Sequence, residues 1–194
     1  INDLPVAQNS DRRMQLLGPP GSQPQVFAYF PDDNAFNTEQ VPPGSRDYWF
    51  WVRGRSKAEV VLRAPVANAG GNTWISKAIT RLNIDIRNGG VTNRITVSTS
   101  RESQALEMTP GEERRVSLAV PAGVPFRREV QPTSYLYTMS VETTGGFVPF
   151  LDVPCEKPGT CATDSRYLGA MIHVVPEYTD VDVTTWSVAA SGGI

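Results

Sequence analysis

The chain has few of the residues from which catalytic centres are built. It has one histidine, His173, and two cysteines among its 194 residues. It contains no Walker loop, Gly-x-Gly-x-x-Gly, His-Glu-x-x-His, EF-hand loop or Gly-x-Ser-x-Gly motif. A Ser-His-Asp hydrolase would need His173 in a cleft beside a serine and an aspartate, whereas the apolar run 171–175 around it is typical of a structural histidine. We therefore predict no catalytic residue and no cofactor.

The chain also lacks an excess of one charge and any long apolar run. Eighteen basic and twenty acidic residues leave a net charge of -2, and the basic residues are scattered. No nucleic acid is therefore expected as a partner. No run of eighteen apolar residues occurs, so we predict no direct membrane span. The chain begins at Ile1 without a signal-peptide pattern, which we interpret as a processed or excised segment of a longer parent.

Glycine and proline, by contrast, are abundant, with sixteen of each. They separate short segments in which apolar and polar residues alternate, as in half-buried strands. In residues 78–87, Leu82, Ile84 and Ile86 alternate with polar residues. Asn88-Gly-Gly90 is a turn signal, and residues 91–99 alternate again, so these two segments are predicted to form a hairpin.

About eight or nine such segments occur, and none shows a long helical period. They are residues 26–30, 47–53, 58–63, 78–87, 91–99, 114–120, 133–142, 147–151 and 167–175. This pattern predicts an all-β, two-sheet β-sandwich of the jelly-roll kind. The sandwich spans residues 25–176, between an N-terminal arm (1–24) and a C-terminal tail (177–194). Val181, Val183 and Trp186 of the tail are candidates for an additional edge strand, and otherwise the tail is an extension available to a partner.

The two cysteines, Cys155 and Cys161, flank the turn signal Pro158-Gly159. A disulfide between them would contribute about 2–3 kcal/mol by restricting the unfolded chain. Free thiols are an alternative, and metal binding would need two further soft ligands where only His173 is on offer. We predict the disulfide, which implies an oxidising compartment, either the periplasm or the cell surface.

Carboxylates occur in adjacent pairs, which point to opposite faces of a strand and make poor catalytic dyads. Asp32 and Asp33 follow a predicted strand and form a secondary candidate for a calcium site. The alternative, which we favour, is a turn stabilised by Asp and Asn side chains.

Aromatic residues form the run Tyr48-Trp-Phe-Trp51. On a strand, Trp49 and Trp51 face one side, and Tyr48 and Phe50 face the other. Core packing of both sets is favoured, while a sugar ring or a protein partner is the alternative for the exposed set. Trp74, in a predicted loop after Gly70-Gly71, and Trp186 in the tail join Trp49 as candidate contact aromatics.

Six short motifs follow one another along the chain, and their order is informative. They are Phe30-Pro-Asp-Asp-Asn-Ala-Phe36, Tyr48-Trp-Phe-Trp-Val-Arg-Gly54, Ala58-Glu-Val-Val-Leu-Arg63, Leu106-Glu-Met-Thr-Pro-Gly-Glu112, Gly146-Phe-Val-Pro149 and Asp164-Ser-Arg-Tyr-Leu-Gly169. This order resembles the C-terminal extracytoplasmic β-sandwich domains of some bacterial multi-spanning membrane glycosyltransferase-like proteins. The resemblance covers roughly residues 25–176 and implies a carbohydrate-binding or accessory module whose chemistry lies in the membrane part. The chain departs from that family by its arm, its tail and the lack of a membrane segment.

The sequence thus predicts a non-catalytic, extracytoplasmic accessory or structural subunit. Its expected partners are protein subunits of a larger membrane-associated complex, which it would bind and stabilise. The alternative is a carbohydrate-binding module of a cell-envelope glycosyltransferase system, with a glycan as ligand. Asp164 and Arg166 are predicted to form an ion pair at the entry to the last core strand, worth about 0–1 kcal/mol if exposed.

Overall fold

The computed structural model describes residues 14–19, 25–127, 132–157 and 159–185. This part of the chain contains thirteen strands and a one-turn helix. They are β1 (Met14–Leu16), β2 (Phe27–Tyr29), β3 (Glu39–Gln40), β4 (Tyr48–Arg53), β5 (Lys57–Arg63), β6 (Val66–Gly70), β7 (Thr73–Asn88), β8 (Asn93–Thr99), β9 (Ser103–Met108), β10 (Glu113–Ala119), β11 (Val124–Phe126), β12 (Ser134–Thr143), α1 (Pro149–Asp152) and β13 (Leu168–Thr185).

Eight of these strands form two antiparallel sheets with the order of a jelly roll. The first sheet runs β5-β12-β8-β9 and is extended by β2 and β1, while β11 pairs with β12. The second sheet runs β10-β7-β13-β4 and is extended by β3, while β6 pairs with β7. The connections β4–β5, β7–β8, β9–β10 and β12–β13 each pass from one sheet to the other, as in two interlocked Greek keys. The predicted jelly-roll sandwich is confirmed.

The core lies between the two sheets and follows the alternation seen in the sequence. Leu82, Ile84 and Ile86 of β7 point inward and are at most 1% exposed. They belong to the same buried cluster as Leu62 of β5 and Val97 of β8. Each such side chain contributes about 1.5–3 kcal/mol relative to an exposed position.

The hairpin predicted between residues 78–87 and 91–99 is wrong. These segments are β7 and β8, and they belong to opposite sheets. The buried side chain of Asn88 fixes this crossing, because its Nδ2 donates to the carbonyl of Val91 at 2.7 Å and to that of Thr109 at 2.8 Å. An Asn-Gly-Gly turn therefore serves a crossing between sheets as well as a hairpin.

Two strand assignments also need correction. Residues 147–151 are not a strand, because Phe147 makes a single bridge to Leu168 and α1 follows directly. Strand β9 was not predicted, because most of its side chains are exposed and its sequence therefore lacks a clear apolar alternation. The short strands β1, β3, β6 and β11 were not predicted either, so nine predicted segments compare with thirteen strands observed in the described part of the chain.

The predicted arm and tail both contribute to the sheets where the structure describes them. Met14–Leu16 pairs with β2 at the edge of the first sheet. Val181 and Val183 lie on the continuation of β13, which pairs with β7 as far as Thr185. Residues 1–13, 20–24 and 186–194, which include Trp186, lie outside the described residues. Within the described part, no helix is long and apolar enough to cross a membrane.

Candidate functional site

The outer face of the second sheet carries a polar row that includes the single histidine. The antiparallel register places Arg115 of β10 beside Asp85 of β7, and Asp85 beside His173 of β13. His173 in turn stacks on the indole of Trp49 from β4, with ring centroids 5.0 Å apart. Four neighbouring strands thus each supply one member of this row.

Asp85 is the acceptor at the centre of the row. Its carboxylate accepts two hydrogen bonds from Arg115, one of them at 2.8 Å, and lies 3.3 Å from Nδ1 of His173. The hydrogen bond from Arg115 lowers the pKa of Asp85 despite partial burial, and Asp85 raises the pKa of Arg115. Asp85 is therefore held as a carboxylate that orients the imidazole.

His173 lies beside a cavity on the outer face of the second sheet. The cavity beside it has a volume of about 310 Å³. Among the described residues, those that line it with His173 are Leu17, Gly18, Val26, Asp47, Val174, Val175, Pro176 and Tyr178. This set includes no serine, threonine or cysteine side chain. Asp85 and the Trp49 ring together hold the imidazole in place.

Trp49 is covered rather than presented to solvent. Only 9% of it is exposed, and besides the His173 ring it contacts the guanidinium of Arg87, which lies 5.3 Å from the ring centroid. Phe50, on the opposite side of the strand, is fully buried in the core. The predicted division of the aromatic run between two faces is therefore confirmed for these two residues. An indole already packed in this way has little surface left for stacking on a sugar.

A second cavity, of about 370 Å³, lies beside Trp49 on the same outer face and is lined by charged residues. Two of these, Glu113 and Arg114, are bonded to Arg87 at 2.6 Å and to Glu112 at 2.5 Å. The charged side chains around the cavity thus form ion pairs with one another or with neighbouring residues. The surface around the cavity is therefore nearly neutral.

Trp74 lies on strand β7, so its prediction as a loop residue is wrong. Gly70 and Gly71 both have positive φ, +113° and +56°, and they confine the turn to so few residues that the strand begins at Thr73. Trp74 is half-buried and stands opposite Asn68 of β6 and Thr184 of β13. Directly opposed residues share a face, so an indole, an amide and a hydroxyl lie side by side there.

The carboxylate of Asp32, the calcium candidate, is bonded to the backbone. Its two oxygens accept hydrogen bonds from the N–H groups of Asn34, at 2.8 Å, and Glu59, at 2.9 Å. The first of these bonds is the one expected for an Asx turn. The carbonyl oxygen of Asp33 accepts from Arg53. Across the described residues, no three His, Cys, Asp or Glu side chains group so as to hold a metal.

An exposed apolar loop, residues 148–154, is the feature that sequence reasoning missed. Phe150, Leu151 and Val153 are exposed by 60%, 72% and 47%. The predicted disulfide between Cys155 and Cys161 is confirmed, and it closes the segment that follows directly. Three large apolar residues in a proline-bounded stretch beside a disulfide were the available signal, but residues 147–151, which contain two of them, were predicted to form a strand.

The apolar loop is held in place by hydrogen bonds to its neighbours. The N–H of Phe150 donates to the carbonyl of Asp164 at 2.9 Å, and the N–H of Val148 donates to the carboxylate of Asp152 at 2.6 Å. The predicted pair of Asp164 and Arg166 is confirmed, with Nη2 and Oδ2 2.7 Å apart. Arg166 also binds Glu39 at 2.6 Å, which ties the segment that accepts from Phe150 to β3.

The base of the same loop is fixed by close contacts between glycines. A Cβ atom on Gly54 would lie 2.6 Å from Cα of Gly146 and 2.8 Å from the ring of Tyr167. These residues come from three of the motifs that gave the family resemblance. They meet here to set the position of the chain, which is a structural rather than a chemical role.

Comparison with known proteins gives no family for this chain. No protein-family model matches it, and no curated protein is similar to it. One solved structure, TmCBM61 in complex with β-1,4-galactotriose, aligns at 12% identity over 78% of this chain and 88% of that chain, with a TM-score of 0.29. A pore-forming protein aligns at 10% identity over 90% of this chain and 87% of its own, with a TM-score of 0.16. Both likenesses are too distant to carry a functional argument.

Proposed function

We propose that this chain is a non-catalytic, extracytoplasmic accessory subunit that binds and stabilises a membrane-associated protein complex. The observation that carries the proposal is the apolar loop, with Phe150 and Leu151 exposed by 60% and 72%. Large apolar side chains exposed together are typical of contact surfaces, because burying them against a partner is favourable.

The loop suits this role because it is already ordered. Its hydrogen bonds to Asp164, the disulfide and the Arg166 ion pairs restrain it before a partner arrives. Less conformational entropy is then lost on binding, which favours affinity. Aromatic and aliphatic anchors of this kind fill pockets at the centres of protein interfaces.

Two further observations support the remaining parts of the proposal. The Cys155–Cys161 disulfide supports a periplasmic or cell-surface location, since such bonds persist in oxidising compartments. His173, which a Ser-His-Asp hydrolase would need, has no serine, threonine or cysteine among the described residues that line the cavity beside it. Neither of these two observations involves the apolar loop.

The experiment is affinity purification of the tagged chain from its native source, followed by quantitative mass spectrometry. In the Phe150→Ser/Leu151→Ser variant, we expect recovery of the partner subunits to fall at least tenfold, equivalent to about 1.4 kcal/mol. Val124→Ser/Phe126→Ser is the matched control, because these residues are also exposed and apolar but lie on β11. Equal recovery by the loop variant and the wild type would exclude the loop as the docking surface.

A glycan-binding role is the second candidate, and Trp74 favours it. The half-buried indole has Asn68 and Thr184 beside it, and stacking on a ring with nearby polar groups suits sugar recognition. Sugar binding should change tryptophan fluorescence across a glycan panel, and Trp74→Ala should abolish the change. A panel that gives no response with the wild type would remove this candidate.

A further inference from the structure

Strand β13 is much longer on one side than the strand that pairs with it there. It pairs with β7 from Ala170 to Thr185, but with β4 only from Leu168 to Ile172. Beyond Ile172, none of the described residues forms a strand along this second side. We call residues 174–185, on that side, the free edge.

The free edge offers backbone hydrogen-bonding groups over an unusual length. The other edge strands of the two sheets, β1, β3, β9 and β10, have two to seven residues. Exposed edges of this length are templates for pairing with another chain, and natural proteins usually shorten or block them. Pro176 lacks an N–H group and is tolerated in edge strands, which agrees with this position.

Three valines along the free edge are exposed apolar residues. Val175, Val181 and Val183 are exposed by 39%, 44% and 68%. The cavity of about 310 Å³ adjoins the start of the edge, where Leu17 and Val26 line it together with β13. A strand added here would place an apolar side chain in this recess.

The charge of the free edge indicates what kind of strand fits. Residues 174–185 contain Glu177, Asp180 and Asp182 but no lysine or arginine. Asp180 is paired with Lys77 at 2.6 Å, whereas Glu177 accepts from the amide of Asn83 and Asp182 from the hydroxyl of Tyr135. Glu177 and Asp182 therefore bond to neutral groups, so no positive charge offsets theirs in these contacts. A second copy of this chain, paired edge to edge, would bring like charges together, which is unfavourable.

We propose that the free edge of β13 binds an extended segment of a partner protein, in which lysine or arginine alternates with apolar residues, by adding it to the second sheet as a strand. The backbone supplies the hydrogen bonds, and the alternate side chains supply specificity. This surface is separate from the apolar loop, so the proposal does not depend on the function proposed above.

The test is hydrogen exchange measured by NMR with a capped peptide of alternating lysine and valine as the probe. We expect amide exchange to slow at least tenfold at every second residue of the free edge when the peptide is added. A peptide with glutamate in place of lysine should give no such protection. Val181→Lys/Val183→Lys should abolish the protection, while Val124→Lys/Phe126→Lys on β11 should retain it.

Several outcomes would overturn the proposal. One is the absence of alternating protection with the lysine peptide. Protection, in the dilute and peptide-free protein, of the amides that do not bond to β7 would mean that the edge is already paired within the chain. Protection that appears without peptide as the protein concentration rises would mean that a second copy is the occupant. The Phe150→Ser/Leu151→Ser variant should bind the peptide normally. A negative result for the apolar loop can therefore be told apart from a negative result for the free edge.

Discussion

Gly89 has no room for a side chain, although its φ is not in the left-handed region. A Cβ atom there would lie 2.2 Å from the ring of Phe147 and 2.9 Å from the carbonyl oxygen of Gly169. We expect Gly89→Ala to lower the free energy of unfolding by about 1–3 kcal/mol, as overpacking of a close contact does. Urea unfolding followed by tryptophan fluorescence measures this change.

Gly90→Ala is the matched control for this prediction. Its nearest neighbour, again in Phe147, would lie 3.4 Å away, which is ordinary contact. The Gly90→Ala variant should stay within about 0.5 kcal/mol of the wild type. Equal effects of Gly89→Ala and Gly90→Ala on the free energy of unfolding would mean that Phe147 shifts readily to make room for a Cβ atom on Gly89.

Asp85 gives a prediction about pH, because its pKa is lowered in the folded protein, chiefly by the hydrogen bond from Arg115. A carboxyl group with a lowered pKa stabilises the fold above its ordinary pKa of 3.8, and this stabilisation is lost as the pH falls through the folded value. Since Arg115 is largely exposed, we expect Asp85→Asn to cost about 1 kcal/mol at pH 7. The difference from the wild type should shrink below pH 3.8 in urea titrations at several pH values.

A difference that persisted at low pH would show that Asp85 acts through packing rather than charge. Glu142→Gln serves as the control, since Glu142 is exposed on β12 and no described residue forms a salt bridge with it. Glu142→Gln should change the free energy of unfolding by less than about 0.5 kcal/mol both at pH 7 and below pH 3.8.

Sequence patterns predicted individual side chains well wherever burial alone decides their place. The alternation of Leu82, Ile84 and Ile86 specified their inward face, since water exclusion acts on each residue separately. The environment of Trp49 could not be predicted, because His173 and Arg87 come from strands far away in the sequence. Contacts of that kind depend on strand order, which alternation does not contain.

At the level of whole elements, turn signals predicted where strands end but not where the chain goes next. Asn88-Gly-Gly90 ends β7 as expected, yet the chain then enters the other sheet. The deciding contacts are the hydrogen bonds of the Asn88 side chain to Val91 and Thr109 and the packing of Phe147 on Gly89. Phe147 lies more than fifty residues further along the chain, beyond the reach of any local pattern.

The disulfide segment allows a prediction because Cys155 and Cys161 are the only cysteines in the chain. Reduction should lower the free energy of unfolding by about 2 kcal/mol, the value expected for closing so short a loop. Denaturant unfolding with and without a reductant measures the change. The Cys155→Ser/Cys161→Ser variant should show the lower stability and no response to the reductant.

The same reduction should weaken partner recovery through the apolar loop, because the loop then loses part of its restraint before binding. Intact recovery by the Cys155→Ser/Cys161→Ser variant would show that the hydrogen bonds to Asp164 are sufficient to hold Phe150 in position. The disulfide would then serve the stability of its own segment alone.

For the molecule as a whole, β13 links the two proposed contact surfaces. Its first residue, Leu168, bridges to Phe147 at the base of the apolar loop, and Val181 lies near the other end of the strand. At about 3.3 Å per residue, the free edge begins about 20 Å from Leu168, and Val181 lies about 40 Å from it. The two surfaces are far enough apart for both to be occupied at once, which suits a subunit that stabilises a complex by bridging its components.

The two surfaces should respond differently to salt because they differ in charge. Binding through the apolar loop should change less than threefold between about 50 and 500 mM salt, since apolar burial is not screened. Binding of the lysine-valine peptide to the free edge should weaken at least tenfold over the same range, because it relies on Glu177 and Asp182. Titrations of purified partner and of peptide, each at both salt concentrations, measure the two responses. If the peptide bound equally well at high salt, the acidic residues would not contribute, and the choice of a basic partner strand would be wrong.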